Sequence, residues 1–155
     1  SRGIGSDQTA VFYEIDSGMR AARGFWLCEY LGHRDVHVLD GGVKAWQAAG
    51  YEVTTRCMIP ESATFSPDAV PAIHIGADEI RGSLSEQHFV PLDTRSEDEH
   101  YGRAVRAARG GTIPGSVHLE YVSNLDETGR FKPGDALREM YERAGVTPDQ
   151  TIACY

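Results

Sequence analysis

The chain has 155 residues, a length typical of one domain. Its apolar fraction of 41% and charged fraction of 25% are ordinary for a globular protein, and no apolar run approaches the roughly 18 residues that a membrane-spanning helix needs. The net charge of -8 disfavours binding to nucleic acid or to anionic membranes, because like charges repel.

The three cysteines, Cys28, Cys57 and Cys154, are widely spaced and odd in number, which disfavours a disulfide framework. There is no CxxC pair and no Cys/His cluster with zinc spacing, so we expect no metal site and no cofactor. We therefore expect a cytoplasmic protein. The sequence opens without an initiator Met or an apolar signal region, and we expect the natural start to lie further upstream.

The first block of the chain predicts two strands and two helices. Thr9–Tyr13 has the β-branched and aromatic residues of a buried strand, and Met19–Leu31 follows as a helix with Gly32 as its stop. Val36–Leu39 predicts a second strand and Val43–Ala49 a second helix. Alternating strands and helices with short loops indicate a parallel α/β sheet.

The predicted first helix has an apolar face that packs against the sheet. Its members recur at helical spacing and are Met19, Ala22, Trp26 and Tyr30. Cys28, on the same helix, is interpreted as a packing residue. The turn before the helix carries Asp16 and Ser17, and we expect one of these side chains to cap the first turn.

The remainder of the chain predicts a linker and a second block. Residues 54–72 contain three prolines with Ser and Thr and little periodicity, which is typical of an interdomain linker. The second block starts near His74. It predicts helices and strands in alternation, at Asp78–Leu84 (helix), Phe89–Leu92 (strand), Ser96–Tyr101 (helix), Ser116–Leu119 (strand), Asp135–Ala144 (helix) and Thr151–Tyr155 (strand).

Four stretches together resemble the rhodanese family. Gly32–Trp46 is similar to the family's closing strand, double-glycine turn and tryptophan-bearing helix, and Leu92–Arg95 is similar to its Asp-x-Arg after a domain's opening strand. Gly111–Val117 is close to its Gly-His-Ile-Pro-Gly-Ala loop, with Thr112 in place of the usual His. Thr151–Tyr155 is similar to the strand that carries the catalytic cysteine immediately after a tyrosine.

The order of these stretches implies a window across the middle of a tandem-domain rhodanese. The closing half of a non-catalytic domain would occupy residues 1–53, the linker 54–72, and the opening half of a catalytic domain 73–155. The expected fold class is α/β, with parallel-sheet rhodanese-like domains present as two incomplete halves that expose apolar faces. Alternatively, the halves pair as one permuted domain, which separate sheets for the strands at Val11 and Leu92 would rule out.

The resemblance implies sulfur transfer by a cysteine. Rhodanese-like enzymes hold the nucleophile after a strand, where loop N–H groups and a helix dipole favour the thiolate. The thiolate takes a sulfane sulfur from thiosulfate or a similar donor and passes it, as a persulfide, to cyanide or a thiol. The nucleophile is expected just after Tyr155, so the intact parent would be a thiosulfate or 3-mercaptopyruvate sulfurtransferase and this chain alone inactive.

The resemblance also assigns the surroundings of the active site, namely Asp93, Arg95, Arg109 and Tyr155. Asp93 and Arg95 form a structural ion pair or brace the active-site loop. Of the basic residues between Arg103 and Arg109, at least two are interpreted as a solvated helix face, and one remains to attract an anionic donor. Cys154 comes one position too early to be the expected nucleophile. Because side chains alternate along a strand, the Cys154 side chain should point into the sheet packing.

Two departures from the family pattern bear on substrate and on the first domain. Relatives that use mercaptopyruvate are expected to have an arginine just before the aromatic residue at Tyr101, where this chain has Glu99 and His100. His118 alternates along a strand and faces either the site or solvent. In the first block, Glu14 takes the place of the nucleophile, which makes a degenerate active-site loop of Glu14, Asp16, Ser17 and Arg20.

Two other functions remain open at this point. A non-catalytic rhodanese-like module that binds a partner is favoured by the loss of the nucleophile at Glu14. A phosphatase relative would share the fold and a loop cysteine, but the tandem arrangement argues against it. For the sulfurtransferase, the expected partners are a small-molecule donor and a thiol or cyanide acceptor, with no nucleic acid and no membrane.

Overall fold

The computed structural model describes residues 3–155 and divides into two compact units. Unit 1 contains the residues up to His74 together with Glu127–Phe131, and unit 2 contains Ile75–Asp126 and Lys132–Tyr155. Each unit has its own parallel sheet with helices, so the predicted α/β class is confirmed. The strands at Val11 and Leu92 lie in separate sheets, and the alternative of one permuted domain is therefore wrong.

Unit 1 is a two-stranded parallel sheet with two helices. The elements are β1 (Ala10–Phe12), α1 (Met19–Tyr30), β2 (Val36–Val38) and α2 (Gly42–Ala48). Phe12 lies opposite Val38 in the register. All four predicted elements are present and none of their ends differs by more than one residue, because Gly and Asp residues punctuate this block clearly.

The start of α1 differs from the prediction. The N-cap is Gly18, which has no side-chain cap hydrogen bond, rather than Asp16 or Ser17. Instead, the Glu14 carboxylate accepts a hydrogen bond from the Arg20 backbone N–H at 2.8 Å. A carboxylate from the preceding loop thus satisfies one of the free N–H groups of the first turn and lies at the positive end of the helix dipole.

The end of α1 agrees with the prediction. Gly32 has φ 84°, and the N–H groups of Gly32 and His33 donate to the carbonyls of Glu29 and Cys28. This is the Schellman arrangement, which needs a left-handed residue just after the helix and therefore favours glycine.

The packing of α1 onto the sheet depends on its small residues. Ala21 is buried, whereas Met19 and Ala22 are exposed, so the predicted apolar face is only partly correct. At Gly24 the helix lies so close to β1 that a Cβ would be 2.5 Å from the Phe12 ring. Small side chains therefore let the helix approach the short sheet, which determines the face that is buried.

Residues 51–70 contain no helix or strand, but they are hydrogen-bonded along unit 1. The N–H of Asp68 donates to the Leu31 carbonyl at 3.0 Å, and that of Val70 to the Tyr30 carbonyl at 2.8 Å. The Phe65 ring stacks on the buried His33 at a centroid distance of 5.8 Å. The predicted linker thus contributes to the packing of unit 1, which its composition did not indicate. A 3₁₀ turn, Pro71–Ile73, follows.

Part of the second sequence block also packs with unit 1. The Phe131 N–H donates to the Asp40 carboxylate at 2.8 Å, within the segment Glu127–Phe131.

Unit 2 has a three-stranded parallel sheet in the order β4-β3-β5. Its elements are α3 (Ala77–Ser83), β3 (Phe89–Asp93), α4 (Glu97–His100), β4 (Val117–His118), a 3₁₀ turn (Tyr121–Asn124), α5 (Gly134–Arg143) and β5 (Thr151–Cys154). Leu92 lies opposite both Val117 and Cys154. The central strand β3 ends in the two most deeply buried side chains, Leu92 and Asp93.

Several large apolar side chains of unit 1 are more than half exposed. They lie on β1, in the following loop and at the start of α1, and are Val11, Tyr13, Ile15 and Met19. Among residues 3–155, no helix has the length and apolar character needed to cross a bilayer.

Candidate active site

Three parallel strands of unit 2 end at the same edge of the sheet. Asp93 ends β3, His118 ends β4, and Tyr155 follows the last residue of β5. Open α/β sheets bind ligands at the carboxyl ends of their strands, so this edge is the natural place for a site. The four motif residues Asp93, Arg95, Thr112 and Tyr155 are hydrogen-bonded to one another here.

Asp93 is the centre of the cluster and is fully buried. Its Oδ1 accepts the backbone N–H of Arg95 at 3.1 Å and Nε of Arg95 at 2.9 Å, and its Oδ2 accepts Nη2 of Arg95 at 2.6 Å. Two further donors reach Oδ2, the His100 Nδ1 at 3.0 Å and the Thr112 hydroxyl at 3.2 Å. The carboxylate is therefore paired by a two-point guanidinium contact, which is the geometry that a buried charge requires.

These donors decide the charge of Asp93. Burial by itself would raise the pKa of the carboxyl group, but the hydrogen bonds from Arg95 and His100 outweigh burial and hold the Asp93 pKa well below its ordinary value. The hydrogen bond to Asp93 in turn raises the pKa of Arg95. Both groups are ionised at neutral pH.

Arg95 connects the strand end to two other segments. Its Nη2 also donates to the Gly111 carbonyl at 2.9 Å, and its guanidinium carbon lies 5.1 Å from the centre of the Tyr155 ring. A guanidinium can make these contacts together because it is planar, with donors in a fixed fork and a face that stacks on aromatic rings. Arg95 thus ties the Gly111 loop and the end of β5 to Asp93.

Tyr155 is held by both its main chain and its hydroxyl. Its carbonyl accepts the Thr94 N–H at 3.0 Å and the Thr94 hydroxyl at 2.9 Å. Its hydroxyl oxygen accepts the Ile113 N–H at 3.0 Å and lies 2.5 Å from the Thr112 hydroxyl and 3.1 Å from the Ser116 hydroxyl. The chain therefore leaves β5 in a fixed direction.

Two histidines stack beside the Asp93–Arg95 pair. The rings of His100 and His118 have centroids 4.4 Å apart and planes inclined by 21°. Nε2 of His118 donates to the Arg95 carbonyl at 2.9 Å, while Nδ1 of His100 donates to Asp93. Sequence reasoning left the direction of His118 open and gave His100 no role, since neither histidine lies in a motif that places it near Asp93.

The loop before α1 in unit 1 contains no sulfur nucleophile. The Glu14 side chain is 13% exposed, and its carboxylate contacts both the backbone N–H and, at 3.8 Å, the largely exposed guanidinium of Arg20. The Glu14 carbonyl accepts the Val43 N–H at 3.0 Å, which ties the loop to α2. Asp16 is exposed. The Glu14 carboxylate therefore holds the start of α1.

Comparisons with known proteins match both the sequence and the fold. The rhodanese-like domain family matches residues 2–49. A putative thiosulfate sulfurtransferase of Saccharopolyspora erythraea is 30% identical over 166 residues, which cover all of this chain and 58% of the relative. A probable 3-mercaptopyruvate sulfurtransferase of Pseudomonas aeruginosa is 33% identical over 157 residues, covering 97% of this chain and 55% of the relative. Along nearly its whole length, the chain is similar to members of the rhodanese family.

A fold match to a solved structure extends over both units. The solved structure of the anaerobic ergothioneine biosynthesis enzyme from Chlorobium limicola, in complex with its natural substrate trimethyl histidine, matches 99% of this chain and 43% of that protein with a TM-score of 0.83. Its sequence identity of 21% supports a common fold and nothing finer. The chain spans slightly more than half the length of the curated relatives that it matches.

Most arginines near the site form ion pairs. Arg103 pairs with Asp98 at 2.6 Å, and Arg106 pairs with Glu99 at 3.0 Å. Arg109 is exposed and makes no ion pair within residues 3–155. The predicted helix over these arginines is wrong, because the glycine at 102 adopts φ 71° and ends α4 before the arginines begin.

The surroundings of Cys28 and Cys154 disfavour a reactive thiolate. Cys154 lies on the exposed face of β5, opposite in direction to the buried Ala153, so the prediction that it points into the packing is wrong. The direction differs because β5 turns Ala153 toward the core of unit 2. Partial desolvation raises the pKa of the Cys154 and Cys28 thiols, which disfavours the thiolate. Cys57 is exposed, as expected.

No group of three or more His, Cys, Asp or Glu side chains is arranged to hold a metal ion in the part of the chain that the structure describes.

Proposed function

We propose that this chain is an internal stretch of a tandem-domain sulfurtransferase. The enzyme would move a sulfane sulfur from thiosulfate or a similar donor to cyanide or a thiol, through a persulfide on a cysteine that directly follows Tyr155. The observation that carries this proposal is the fixation of Tyr155 at the carboxyl edge of the sheet by Thr94, Thr112, Ser116 and the Ile113 N–H.

The geometry supports a nucleophile at that place for an electrostatic reason. A residue that follows Tyr155 leaves the sheet beside the guanidinium of Arg95, which contacts the Tyr155 ring. A nearby cation favours a thiolate over a thiol, and the thiolate is the attacking species in sulfur transfer. Asp93 neutralises part of that charge but is needed to hold Arg95 in position.

The proposed donor is a small anion and the acceptor is a thiol or cyanide. Arg109, the unpaired arginine of the segment 103–109, supplies an exposed positive charge for such a donor. Thiosulfate is favoured over mercaptopyruvate because Glu99 and His100 stand where relatives that use mercaptopyruvate are expected to have an arginine. The net charge of -8 disfavours nucleic acid and anionic membranes as partners.

The proposed assignment of a non-catalytic and a catalytic domain follows from Glu14. Residues 1–53 would belong to a non-catalytic domain, residues 54–72 to the connection and residues 73–155 to the catalytic domain, so this chain without the nucleophile would be inactive. The three cysteines are free, which is compatible with action in the cytoplasm.

A non-catalytic binding module is the second candidate. This candidate is supported by Glu14, which stands where the resemblance places a nucleophile and whose carboxylate instead holds the start of α1. A module of this kind would keep the Asp93–Arg95 scaffold and transfer no sulfur.

The test measures thiosulfate turnover by the whole protein with cyanide as the acceptor. Turnover is monitored through the release of sulfite and the formation of thiocyanate. We expect turnover in the wild type and at least a tenfold loss in the variant Arg95→Lys, because lysine cannot make the two-point contact with Asp93. The matched control is Arg81→Lys, an exposed arginine that pairs with Asp78 at 3.0 Å. A folded wild-type protein that releases no sulfite would refute the proposal and favour the binding module.

A further inference from the structure

The hydrogen bond between Asp93 and His100 fixes the tautomer of the imidazole. A carboxylate with a strongly lowered pKa only accepts hydrogen bonds, so Nδ1 of His100 carries the proton. In the neutral ring the lone pair is then on Nε2. Within residues 3–155, Nε2 of His100 has no hydrogen-bond partner. The ring therefore offers a free proton acceptor.

The surroundings of His100 keep the ring in this orientation. Asp93 cannot turn, because Arg95 holds both of its oxygens. His118 stacks on one face of the His100 ring and is itself held by its bond to the Arg95 carbonyl, and the Tyr101 ring meets the His100 ring edge-on at 4.9 Å. A base whose orientation is set by a buried carboxylate needs no rearrangement before it takes a proton.

Three charged or titratable side chains face His100. The Asp93 carboxylate stabilises an imidazolium, the Arg95 guanidinium opposes it, and His118 is a second imidazole 4.4 Å away. The side chain of His100 is 12% exposed, which leaves an edge of the ring open to solvent.

Sulfur transfer to a thiol has a step that needs such a group. A thiol acceptor is mostly protonated at neutral pH, and only its thiolate attacks a persulfide. Imidazole is the side chain whose ordinary titration lies closest to neutral pH, which makes it suited to remove that proton.

We propose that His100 is the general base for a thiol acceptor, an inference that rests on the proposed sulfurtransferase function. The S–H bond of the acceptor breaks and its proton moves to Nε2 of His100. The acceptor sulfur bonds to the terminal sulfur of the cysteine persulfide. The S–S bond of the enzyme persulfide breaks, its electron pair stays on the cysteine sulfur, and the product is the acceptor persulfide. The imidazolium then returns its proton to water.

The experiment compares two acceptors in the whole protein carrying His100→Asn. The asparagine amide can still donate to Asp93 but offers no basic nitrogen. After loading with thiosulfate, single-turnover transfer to an alkyl thiol should slow by about 100-fold or more, the usual effect of removing a general base. Transfer to an aromatic thiol that is already ionised at the assay pH should stay unchanged, as should loading by thiosulfate.

Two controls separate a base from a structural role. His88→Asn removes an exposed histidine that also faces a carboxylate, Asp149 at 3.8 Å, and should leave both transfers unchanged. In His100→Asn, the rate of alkyl-thiol transfer should follow the ionised fraction of the thiol itself and approach the wild-type rate as the pH rises toward the thiol pKa. Equal slowing with both acceptors would overturn the assignment, as would a selective loss in His118→Gln rather than in His100→Asn. A wild-type protein that forms no persulfide would overturn the proposed function, and the general base with it.

Discussion

The substitution Asp93→Asn tests the centre of the site. In the wild type, the carboxylate accepts five hydrogen bonds from Arg95, His100 and Thr112 while fully buried. Asparagine has nearly the same shape but replaces one oxygen with an NH₂ group, so donors on that side would face another donor. The substitution also leaves the guanidinium of Arg95 without its counter-charge.

The cost follows from these contacts. Breaking a buried ion pair by removing one partner costs about 3–5 kcal/mol. The Arg95 side chain is 32% exposed and can recover part of its hydration, so we expect a loss near the lower limit, about 3 kcal/mol of unfolding free energy for unit 2.

The assay is urea unfolding followed by circular dichroism, with hydrogen exchange of the β3 amides to locate the loss in unit 2. The matched control is Asp98→Asn, which removes a carboxylate that is 64% exposed and paired with Arg103. Because exposed pairs contribute about 0–1 kcal/mol, the control should change stability by no more than that.

The pH dependence of Asp93 gives a second readout with a definite sign. The pKa of Asp93 is lower in the folded state than in the unfolded chain, so its contribution is complete above the unfolded value of about 4 and is lost as the pH falls through the folded value. The stability gap between wild type and Asp93→Asn should be constant from neutral pH to about pH 4 and narrow below it. A loss no greater than that of Asp98→Asn, or a gap that widens in acid, would refute the reasoning.

Three further substitutions test other parts of the structure by urea unfolding and turnover. Tyr155→Phe leaves the Ile113 N–H without its acceptor and should lower the free energy of unfolding by about 1–2 kcal/mol. The control Tyr101→Phe, at a ring 62% exposed, should leave the free energy of unfolding almost unchanged. Gly32→Ala should cost more than Gly50→Ala, although both have φ above 80°, because a Cβ at Gly32 would lie 2.3 Å from the Asp68 carbonyl oxygen and one at Gly50 meets nothing. Equal losses of stability in Gly32→Ala and Gly50→Ala would contradict the close approach of Asp68 to Gly32. Glu14→Gln should leave thiosulfate turnover of the whole protein unchanged, and a tenfold loss would contradict a non-catalytic first domain.

The elements were predictable because the chain marks their ends. Gly32 ends the first helix in a left-handed conformation that other residues avoid, and the β-branched run at Val36 is bounded by turn residues. Local signals of this kind need no tertiary information, and the predicted bounds differ by little from the observed ones. The capping of α1 was not predictable in the same way, since Glu14 reaches Arg20 across a loop whose shape the sequence does not specify.

The contacts of the site depend on long-range register. The Asp-x-Arg motif identified Asp93 and Arg95, but Thr112 and Tyr155 reach them only after β4 and β5 have paired with β3. His100 reaches Asp93 from α4, across the turn that follows β3. No spacing rule relates residues that meet through sheet pairing and irregular loops. The same limit explains the packing of residues 51–70, whose contacts with α1 are made by backbone groups that carry no sequence signal.

The measurement that tests the central claim most directly is peptide mass spectrometry of the whole protein after brief treatment with thiosulfate. We expect a mass increase of one sulfur atom on a cysteine that directly follows Tyr155, removed by cyanide. A protein that gains no sulfur, or gains it at Cys28, Cys57 or Cys154, would contradict the account.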